Sequence, residues 1–315
     1  MRIAMIPERG RFEIADEPIP PIGPDDALVR VAACGVCASE LDIWSGLSGH
    51  AMFPWYPGHE VSGVVERVGD LVQTVAPGDP VSVWVTTRGF ADYVAVKAVH
   101  CFPARGLPLE AALGEPLGCA VNVVEVARPA LGDDVVIVGA GFMGHLVHLL
   151  VDMRGPRQII VADTRDDALK RAEDLGASRT VNVTRDSLID VVRDLTGGAG
   201  ADVSFEVTGV QAPLDVLGEV TRMSGTLVLA GYHQGEPRRI PLALWNWKAF
   251  RIANGHFRDV PTILRGMERG MRLLESGRLS MSSLLTHRYP LEEIEAAFRA
   301  AMDKPDGFVK ATVMP

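Results

Sequence analysis

The sequence predicts an α/β protein in which a doubly wound parallel sheet is inserted into a second, β-rich domain. Residues 1–100 hold short valine-rich runs bounded by Gly, Pro and Asp, which is typical of β-strands. From about Gly132 strands alternate with helices, which indicates a parallel sheet. The tail mixes helices and strands again, so we expect it to rejoin the first domain. The expected domains are 1–117 with 262–315, and 118–261.

The individual elements follow from the hydrophobic pattern along the chain. In the β-rich part, strands are expected at 27–36, 60–69, 78–85 and 90–96. In the inserted part, strands at 134–138, 158–164, 180–183, 201–209 and 225–231 alternate with helices at 142–155, 165–177, 187–198 and 213–223. The tail carries helices at 262–277 and 291–303 and strands at 284–290 and 308–315.

Length and composition exclude several classes of protein. A chain of 315 residues is long enough for two domains, and 47% hydrophobic with 23% charged residues argues against disorder. The net charge of −9 disfavours nucleic acid or an anionic membrane as a partner, because both require a basic surface. Four cysteines are too few for a disulfide scaffold, and the N-terminus lacks a secretory signal, so we expect a cytoplasmic location.

A glycine-rich turn predicts a dinucleotide site. Gly139, Gly141 and Gly144 form a G-x-G-x-x-G motif between a predicted strand and a predicted helix, with Phe142 and Met143 between the last two glycines. The first glycine allows the tight turn, the second lets the pyrophosphate approach the backbone, and the third permits close helix packing. The helix N-terminus then offers free N–H groups to the phosphates.

The residues after the second strand of this unit decide between NAD and NADP. Asp163 ends that strand, 19 residues after Gly144, where a carboxylate accepts hydrogen bonds from the ribose hydroxyls and repels a 2′-phosphate. Thr164 and Arg165 follow, and the guanidinium of Arg165 favours NADP. We therefore expect NAD as the cofactor, with NADP as the alternative.

Three short segments combine potential metal ligands, two in the first domain at 35–42 and 57–63, and one at the entry to the α/β domain at 114–119. Together they supply thiolate, imidazole and carboxylate groups, which suit a zinc that keeps one position open for water or substrate. Taken singly, each has an ordinary structural explanation, since a lone cysteine is usually buried and Glu-Pro often begins a helix. The Cys34–Cys37 pair alone leaves a redox pair, half a metal site and chance open.

An ordered set of motifs connects these segments. The set comprises Cys37 with Ser39, GHEVSGVV at 58–65, GD at 78–79, FADYVAV at 90–96, EPLGCAV at 115–121, GAGFMG at 139–144 and GGAGADVSFEVTG at 197–209. In this set the chain resembles the zinc-dependent medium-chain dehydrogenases, near the sorbitol and threonine dehydrogenases, over nearly its whole length. The resemblance implies a GroES-like catalytic domain around a Rossmann domain, with the active site in the cleft.

The resemblance also implies a set of metal ligands. Cys37, His59 and Glu60 match the catalytic zinc positions of the family. Glu115 matches the third protein ligand or an exchanging carboxylate. His50 is close in sequence but is expected in a loop.

Further residues match the positions that support the metal and the cofactor in the family. Ser39 stands where a hydroxyl passes on the substrate proton, and Glu40 stands where a carboxylate supports the zinc-bound histidine. Asp42 replaces the usual relay histidine, which leaves the outer proton path open. Thr208 and Gly231 follow two later strands at the nicotinamide end and are expected to contact the cofactor.

One departure from the family changes the expected number of metals. The four-cysteine structural zinc lobe is missing, because Val81–Thr87 leads almost directly into Arg88–Tyr93. Cys34, Cys101 and Cys119 are too dispersed to replace it. We therefore expect one zinc per chain.

The motifs together predict an enzyme that transfers a hydride between a secondary alcohol and NAD and yields the ketone. Polyols, sugars or cyclitols are the substrate class that the resemblance implies. The alternatives are a zinc-free quinone or enoyl reductase on the same scaffold and a non-catalytic nucleotide-binding protein. We expect a homodimer or homotetramer. The segment with Trp245, Trp247, His256 and Arg258 is either an interface or substrate-facing.

Overall fold

The computed structural model describes residues 1–48 and 52–315. It divides the chain into two compact units, Met1–Gly118 with Val260–Pro315, and Cys119–Asp259. The first unit is thus built from two separate stretches of sequence. Within the described residues, no helix combines the length and the apolar character that crossing a membrane requires.

The N-terminal stretch of the first unit consists mainly of strands, as its valine-rich runs indicate. Its elements are β1 (Arg2–Glu8), β2 (Arg11–Asp16), β3 (Asp26–Gly35), α1 (Ala38–Ser45), β4 (Glu60–Val68), β5 (Pro80–Trp84), β6 (Tyr93–Lys97) and β7 (Cys101–Pro103). The helix α2 (Gly114–Ala127) begins in this stretch and ends in the second unit. β1 and β2 form an antiparallel hairpin that the hydrophobic pattern does not predict, because every residue of β2 is exposed or half-buried.

The second unit alternates strands and helices. Its elements are β8 (Asp134–Val138), α3 (Phe142–Asp152), β9 (Gln158–Asp163), α4 (Asp166–Asp174), β10 (Arg179–Asn182), α5 (Leu188–Leu195), β11 (Ala201–Glu206), α6 (Gln211–Val220), β12 (Thr221–Leu229), α7 (Leu242–Trp247) and β13 (Arg251–Asn254). The strands pair in parallel in the order β10-β9-β8-β11-β12-β13, and the direction of winding reverses between β8 and β11. This arrangement confirms the predicted α/β fold class with its doubly wound sheet.

The tail adds strands to the sheet of the first unit. It contains α8 (Val260–Glu275), β14 (His287–Pro290), α9 (Ile294–Asp303) and β15 (Ala311–Met314). β15 pairs antiparallel with β3, and Thr312 stands opposite Gly35. The sheet runs β14-β15-β3-β4-β5-β7, with β6 also paired to β3. The last strand of the chain therefore lies beside the strand that leads into α1.

Each unit has its own apolar core. In the second unit, all residues of β8 are buried, because both faces of a parallel sheet are covered. In the first unit, Phe298 of α9 packs edge-on against Trp44 and Phe90, with ring centroids 5.9 and 5.8 Å away. These packed rings fix α1, which begins beside the candidate metal ligands.

The four predicted helices of the second unit each end three residues earlier than expected, and after α6 the chain continues directly as a strand. The pattern favours helix to Met223, whereas α6 ends at Val220 and β12 begins at Thr221. Thr221 is fully buried, and its Oγ1 donates to the Leu217 carbonyl at 2.7 Å. A buried β-branched residue suits a strand, and this tertiary burial outweighs the helical period.

Candidate active site

The candidate metal centre forms where two neighbouring strands meet loops. β3 ends at Gly35 and Cys37 caps α1, while His59 directly precedes Glu60 at the start of β4. The ligand atoms of Cys37, His59 and Glu60 all lie within 4.8 Å of one another. A thiolate, an imidazole and a carboxylate at this spacing fit a zinc ion.

The carboxylate of Glu40 orients the His59 ring of this cluster. Glu40 lies in the first turn of α1 and is only 1% exposed. Its Oε1 is 2.8 Å from Nδ1 of His59 and accepts a hydrogen bond from the backbone N–H of Gly58 at 2.6 Å. Because Nδ1 of His59 is bound to Glu40, Nε2 is the nitrogen left for a metal. Burial lowers the pKa of His59, but the charges of Glu40 and Cys37 outweigh burial and hold that pKa well above its usual value.

Glu60 has a partner that the sequence did not reveal. Lys310, the residue directly before β15, donates to its Oε1 at 2.7 Å and lies 2.6 Å from its Oε2, with both side chains almost fully buried. Burial lowers the pKa of Lys310, but the charges of Glu60, Cys37 and Glu115 outweigh burial and raise it. A lysine within the apolar run of the last strand is the one sequence signal that points to this ion pair.

The glycine that ends β3 leaves the space that this ion pair occupies. A Cβ at Gly35 would lie 2.0 Å from Oε2 of Glu60 and 3.0 Å from Cε of Lys310. Any larger residue at this position would therefore displace the carboxylate.

Glu115 is not part of the three-residue group that the structure brings together. It stands in the first turn of α2, half-buried. The negative charge of Glu115 still raises the pKa of Lys310, so Glu115 interacts electrostatically with the Glu60–Lys310 ion pair. Its role as a metal ligand stays a prediction.

The two predicted proton-relay residues lie on α1. The Ser39 hydroxyl donates to the Cys37 sulfur at 3.3 Å, which places it beside the candidate metal. Asp42 is half-buried, and burial raises the pKa of its carboxyl. His50 lies outside the described residues.

The glycine turn has the geometry that a dinucleotide requires. Gly139 has φ +114°, in the left-handed region that favours glycine. A Cβ at Gly144 would lie 1.9 Å from the Gly139 carbonyl oxygen, so this glycine permits the helix to pack on the turn. A Cβ at Gly141 would meet no heavy atom within 4 Å, so the backbone between them is open to a phosphate. Phe142 and Met143 form the first turn of α3.

Asp163 is fixed at the end of β9. Its Oδ2 accepts from the backbone N–H of Ala140 at 2.6 Å. Its Oδ1 accepts from the backbone N–H groups of Thr164 at 2.7 Å and Arg165 at 3.0 Å. The Thr164 hydroxyl also donates to Oδ1, at 3.5 Å, so the acceptor position that remains for a ribose hydroxyl is on Oδ2.

Another buried carboxylate, that of Glu206 in the second unit, was not singled out by sequence reasoning. It ends β11 and is fully buried. Its Oε1 accepts from the backbone N–H groups of Thr208 at 2.6 Å and Gly209 at 2.8 Å, and its Oε2 lies 2.9 Å from Nε2 of His233. Arg238 donates to Nδ1 of His233 at 3.3 Å, so Nε2 carries the proton toward Glu206. A glutamate between the apolar Phe205 and Val207, at the end of a strand, is the signal that would have found it.

Glu206 also joins Gly231 to the turn that contains Thr208. The backbone N–H of Gly231 donates to the Glu206 carbonyl at 2.9 Å. A Cβ at Gly231 would lie 2.4 Å from Oε2 of Glu206 and 2.3 Å from the Gly209 nitrogen, so only glycine fits. One residue thus holds the two predicted cofactor positions, Thr208 through its carboxylate and Gly231 through its backbone carbonyl.

The polar and aromatic segment near the end of this unit divides into separate roles. Trp245 is 2% exposed and belongs to the core, whereas Trp247 is 77% exposed. A ring nitrogen of His256, Nε2, lies 3.1 Å from the Gly231 carbonyl oxygen. Arg258 donates to the neighbouring Phe257 carbonyl at 3.0 Å.

Comparison with known proteins identifies the family. Residues 23–126 match the model of the alcohol dehydrogenase GroES-like domain, and residues 143–266 match that of the zinc-binding dehydrogenases. L-Threonine 3-dehydrogenase of Ruegeria pomeroyi is 30% identical to this chain, across 93% of this chain and 94% of that protein. The chain belongs to the zinc-binding dehydrogenases of the alcohol dehydrogenase superfamily.

Other members and a solved structure agree with this assignment. Sorbitol dehydrogenase of Ovis aries is 27% identical to this zinc-binding dehydrogenase, across 93% of this chain and 90% of that protein. The crystal structure of galactitol-1-phosphate dehydrogenase from Escherichia coli shares the fold, with a TM-score of 0.89 at 23% identity over 100% of both chains. The chain is therefore an oxidoreductase with a nicotinamide cofactor, as its motifs predict.

Proposed function

We propose that this dehydrogenase oxidises a secondary alcohol to the ketone with NAD, and that the alcohol is a polyol, sugar or cyclitol. The main support for this proposal is the cluster of Cys37, His59 and Glu60. The Ser39 hydroxyl lies beside this cluster, 3.3 Å from the Cys37 sulfur. The relatives named for threonine and sorbitol support a small hydroxylated substrate.

Cys37 and His59 would hold the zinc, and Glu60 and Glu115 would supply the third, exchanging carboxylate ligand. Three protein ligands leave one position open, which a catalytic zinc requires. When bound, zinc supplies a positive charge that lowers the free energy of removing the hydroxyl proton. Glu40 keeps His59 in the tautomer that leaves Nε2 available.

Ser39 would receive the hydroxyl proton and pass it outward. Its position beside the Cys37 sulfur supports this role. Asp42 would be the outer acceptor, one helical turn further along α1. Burial raises the pKa of the Asp42 carboxyl, which brings it closer to that of the imidazole it replaces.

NAD is the cofactor that we propose for the second unit. The carboxylate of Asp163 is held by backbone N–H groups and retains acceptor capacity toward ribose hydroxyls, which donate hydrogen bonds. A 2′-phosphate has no such donors and repels the carboxylate. The open backbone at Gly141 supports the pyrophosphate contact.

We further propose one zinc per chain, without a structural zinc lobe. Residues 85–92 join β5 to β6 and contain no cysteine, which supports this count. Metal analysis of zinc-replete protein should give about one zinc per chain. A value of two would contradict the proposal.

We propose a homodimer or homotetramer in the cytoplasm. The exposed Trp247 and Ile252, 77% and 48% exposed, lie before and on β13 at the end of the sheet order, and a second copy would cover them. The low cysteine content supports a reducing compartment. Light scattering of the purified protein measures the oligomeric state.

The test of the proposed reaction is a panel of alcohols, scored by the absorbance of reduced nicotinamide, with metal analysis of the same preparation. We expect the zinc-loaded protein to oxidise polyols at a secondary hydroxyl group, and the metal-free protein to show no turnover. Turnover of quinones or enones by metal-free protein would favour the zinc-free reductase instead.

A further inference from the structure

We infer that Asp167 is a specificity-determining residue that excludes NADP by binding the guanidinium of Arg165. This inference rests on the proposed use of NAD and extends it to a residue outside the dinucleotide motif. Arg165 is the cation nearest in sequence to Asp163, and its backbone N–H donates to that carboxylate at 3.0 Å. Arg165 therefore lies at the ribose end of the predicted cofactor site.

The guanidinium of Arg165 faces Asp167. Nε of Arg165 donates to Oδ1 of Asp167 at 3.0 Å, and Nη2 donates to Oδ2 of the same carboxylate. The pair is a two-pronged contact between a planar guanidinium and a planar carboxylate, the geometry that binds arginine most strongly. Both side chains are only partly exposed, at 25% and 20%, so solvent screens the pair incompletely.

A 2′-phosphate at this site would require a cation. Asp163 repels the phosphate, and the contact with Asp167 already neutralises and orients the Arg165 guanidinium that would offset this repulsion. Asp167 therefore adds a second barrier to NADP, separate from the direct repulsion by Asp163. NAD places no charge at this position and leaves the Arg165–Asp167 pair undisturbed.

Asp166 provides a matched control. Asp166 is the neighbouring acid in the first turn of α4, so both carboxylates interact favourably with the positive end of the helix dipole. Asp166 pairs instead with Arg185, at 2.7 and 2.8 Å, and with the side-chain amide of Asn182. Replacing either acid removes one charge from the same turn, but only Asp167, of the two, contacts the guanidinium of Arg165.

The experiment measures the dissociation constants of NADH and NADPH by nicotinamide fluorescence, which needs no substrate. The variants are Asp167→Asn, Asp166→Asn, Arg165→Met and the Asp167→Asn, Arg165→Met double variant, each with its thermal unfolding checked. Asp167→Asn is expected to improve NADPH binding relative to NADH by about tenfold, the scale of one charge-assisted hydrogen bond. Asp166→Asn should leave the ratio unchanged, and the double variant should lose the gain.

Three results would overturn the inference. An unchanged ratio in Asp167→Asn, with the wild type preferring NADH, refutes the role of Asp167 and leaves the proposed use of NAD intact. A gain that persists without Arg165 shows that the loss of negative charge alone, and not the release of Arg165, is responsible. A wild type that binds NADPH more tightly than NADH instead refutes the proposed cofactor, and with it the premise of the inference.

Discussion

Replacing Lys310 by methionine should lower the free energy of unfolding, because the buried charge on Glu60 then loses its ammonium partner. The two side chains are 7% and 2% exposed, so removing the ammonium leaves a carboxylate that water cannot solvate. Breaking a buried ion pair from one side typically costs about 3–5 kcal/mol. We expect a loss of this size in the free energy of unfolding of metal-free Lys310→Met, measured by urea unfolding after dialysis against a chelator.

Two comparisons make this prediction specific. The Glu60→Gln, Lys310→Met double variant should recover at least half of the loss, because no unpaired charge remains. Lys97→Met, at an exposed lysine that pairs with Asp25 and Asp26, should change the midpoint little.

Zinc provides a further test of the same residue. With Lys310 gone, the Glu60 carboxylate would have the metal as its remaining counter-charge, so Lys310→Met should retain zinc at higher chelator concentrations than the wild type. Metal-free Lys310→Met with the wild-type midpoint would refute the reasoning, since it would mean that the Glu60 charge is solvated or neutral.

Three other predictions concern single side chains. Cys37→Ala should lose zinc and turnover with unchanged circular dichroism, whereas Cys34→Ala in the buried strand β3 should keep its zinc; equal metal loss in both would contradict the ligand assignment. Ser39→Ala should lower turnover roughly a hundredfold or more, and Asp42→Ala less, in pH–rate profiles; full activity of Ser39→Ala would exclude the relay. His145→Leu should reduce the decrease in the free energy of unfolding that the wild type shows as the pH falls. Burial lowers the pKa of His145 to about 3, so between pH 6.5 and 3 only the unfolded chain binds the proton and stability falls as pH falls, by at most ~1.4 kcal/mol per pH unit from this group. Parallel stability–pH curves for variant and wild type would refute this account.

Much of the fold follows from local pattern, and the failures have physical causes. The continuous apolar run of β8 and the glycines after it specify a buried parallel strand and its turn, so the doubly wound sheet was predictable. β13 was not predicted, because Arg251, Ile252 and Asn254 are exposed and its four residues carry no alternation. The early end of α6 depends on the burial of Thr221, which no local pattern contains.

The candidate site shows the same division. Cys37, His59 and Glu60 lie in short motifs, and the structure brings their ligand atoms together. Lys310 is 250 residues away from Glu60 along the chain, so their pairing is a property of strand order and is invisible to any local motif. Glu206 escaped notice because its partners, apart from His233, are backbone N–H groups and the Thr208 hydroxyl, which do not mark a sequence.

The pairing of β15 with β3 makes the charge balance at the candidate metal centre depend on a distant segment of the chain. Cys37, His59 and Glu60 belong to the N-terminal stretch of the first unit, whereas Lys310 belongs to the stretch that returns after the second unit. A local opening of β15 would therefore remove the buried counter-charge of Glu60 while the three candidate ligands keep their places on β4 and α1. The electrostatic setting of these ligands is thus coupled to the stability of a strand that contributes no ligand itself.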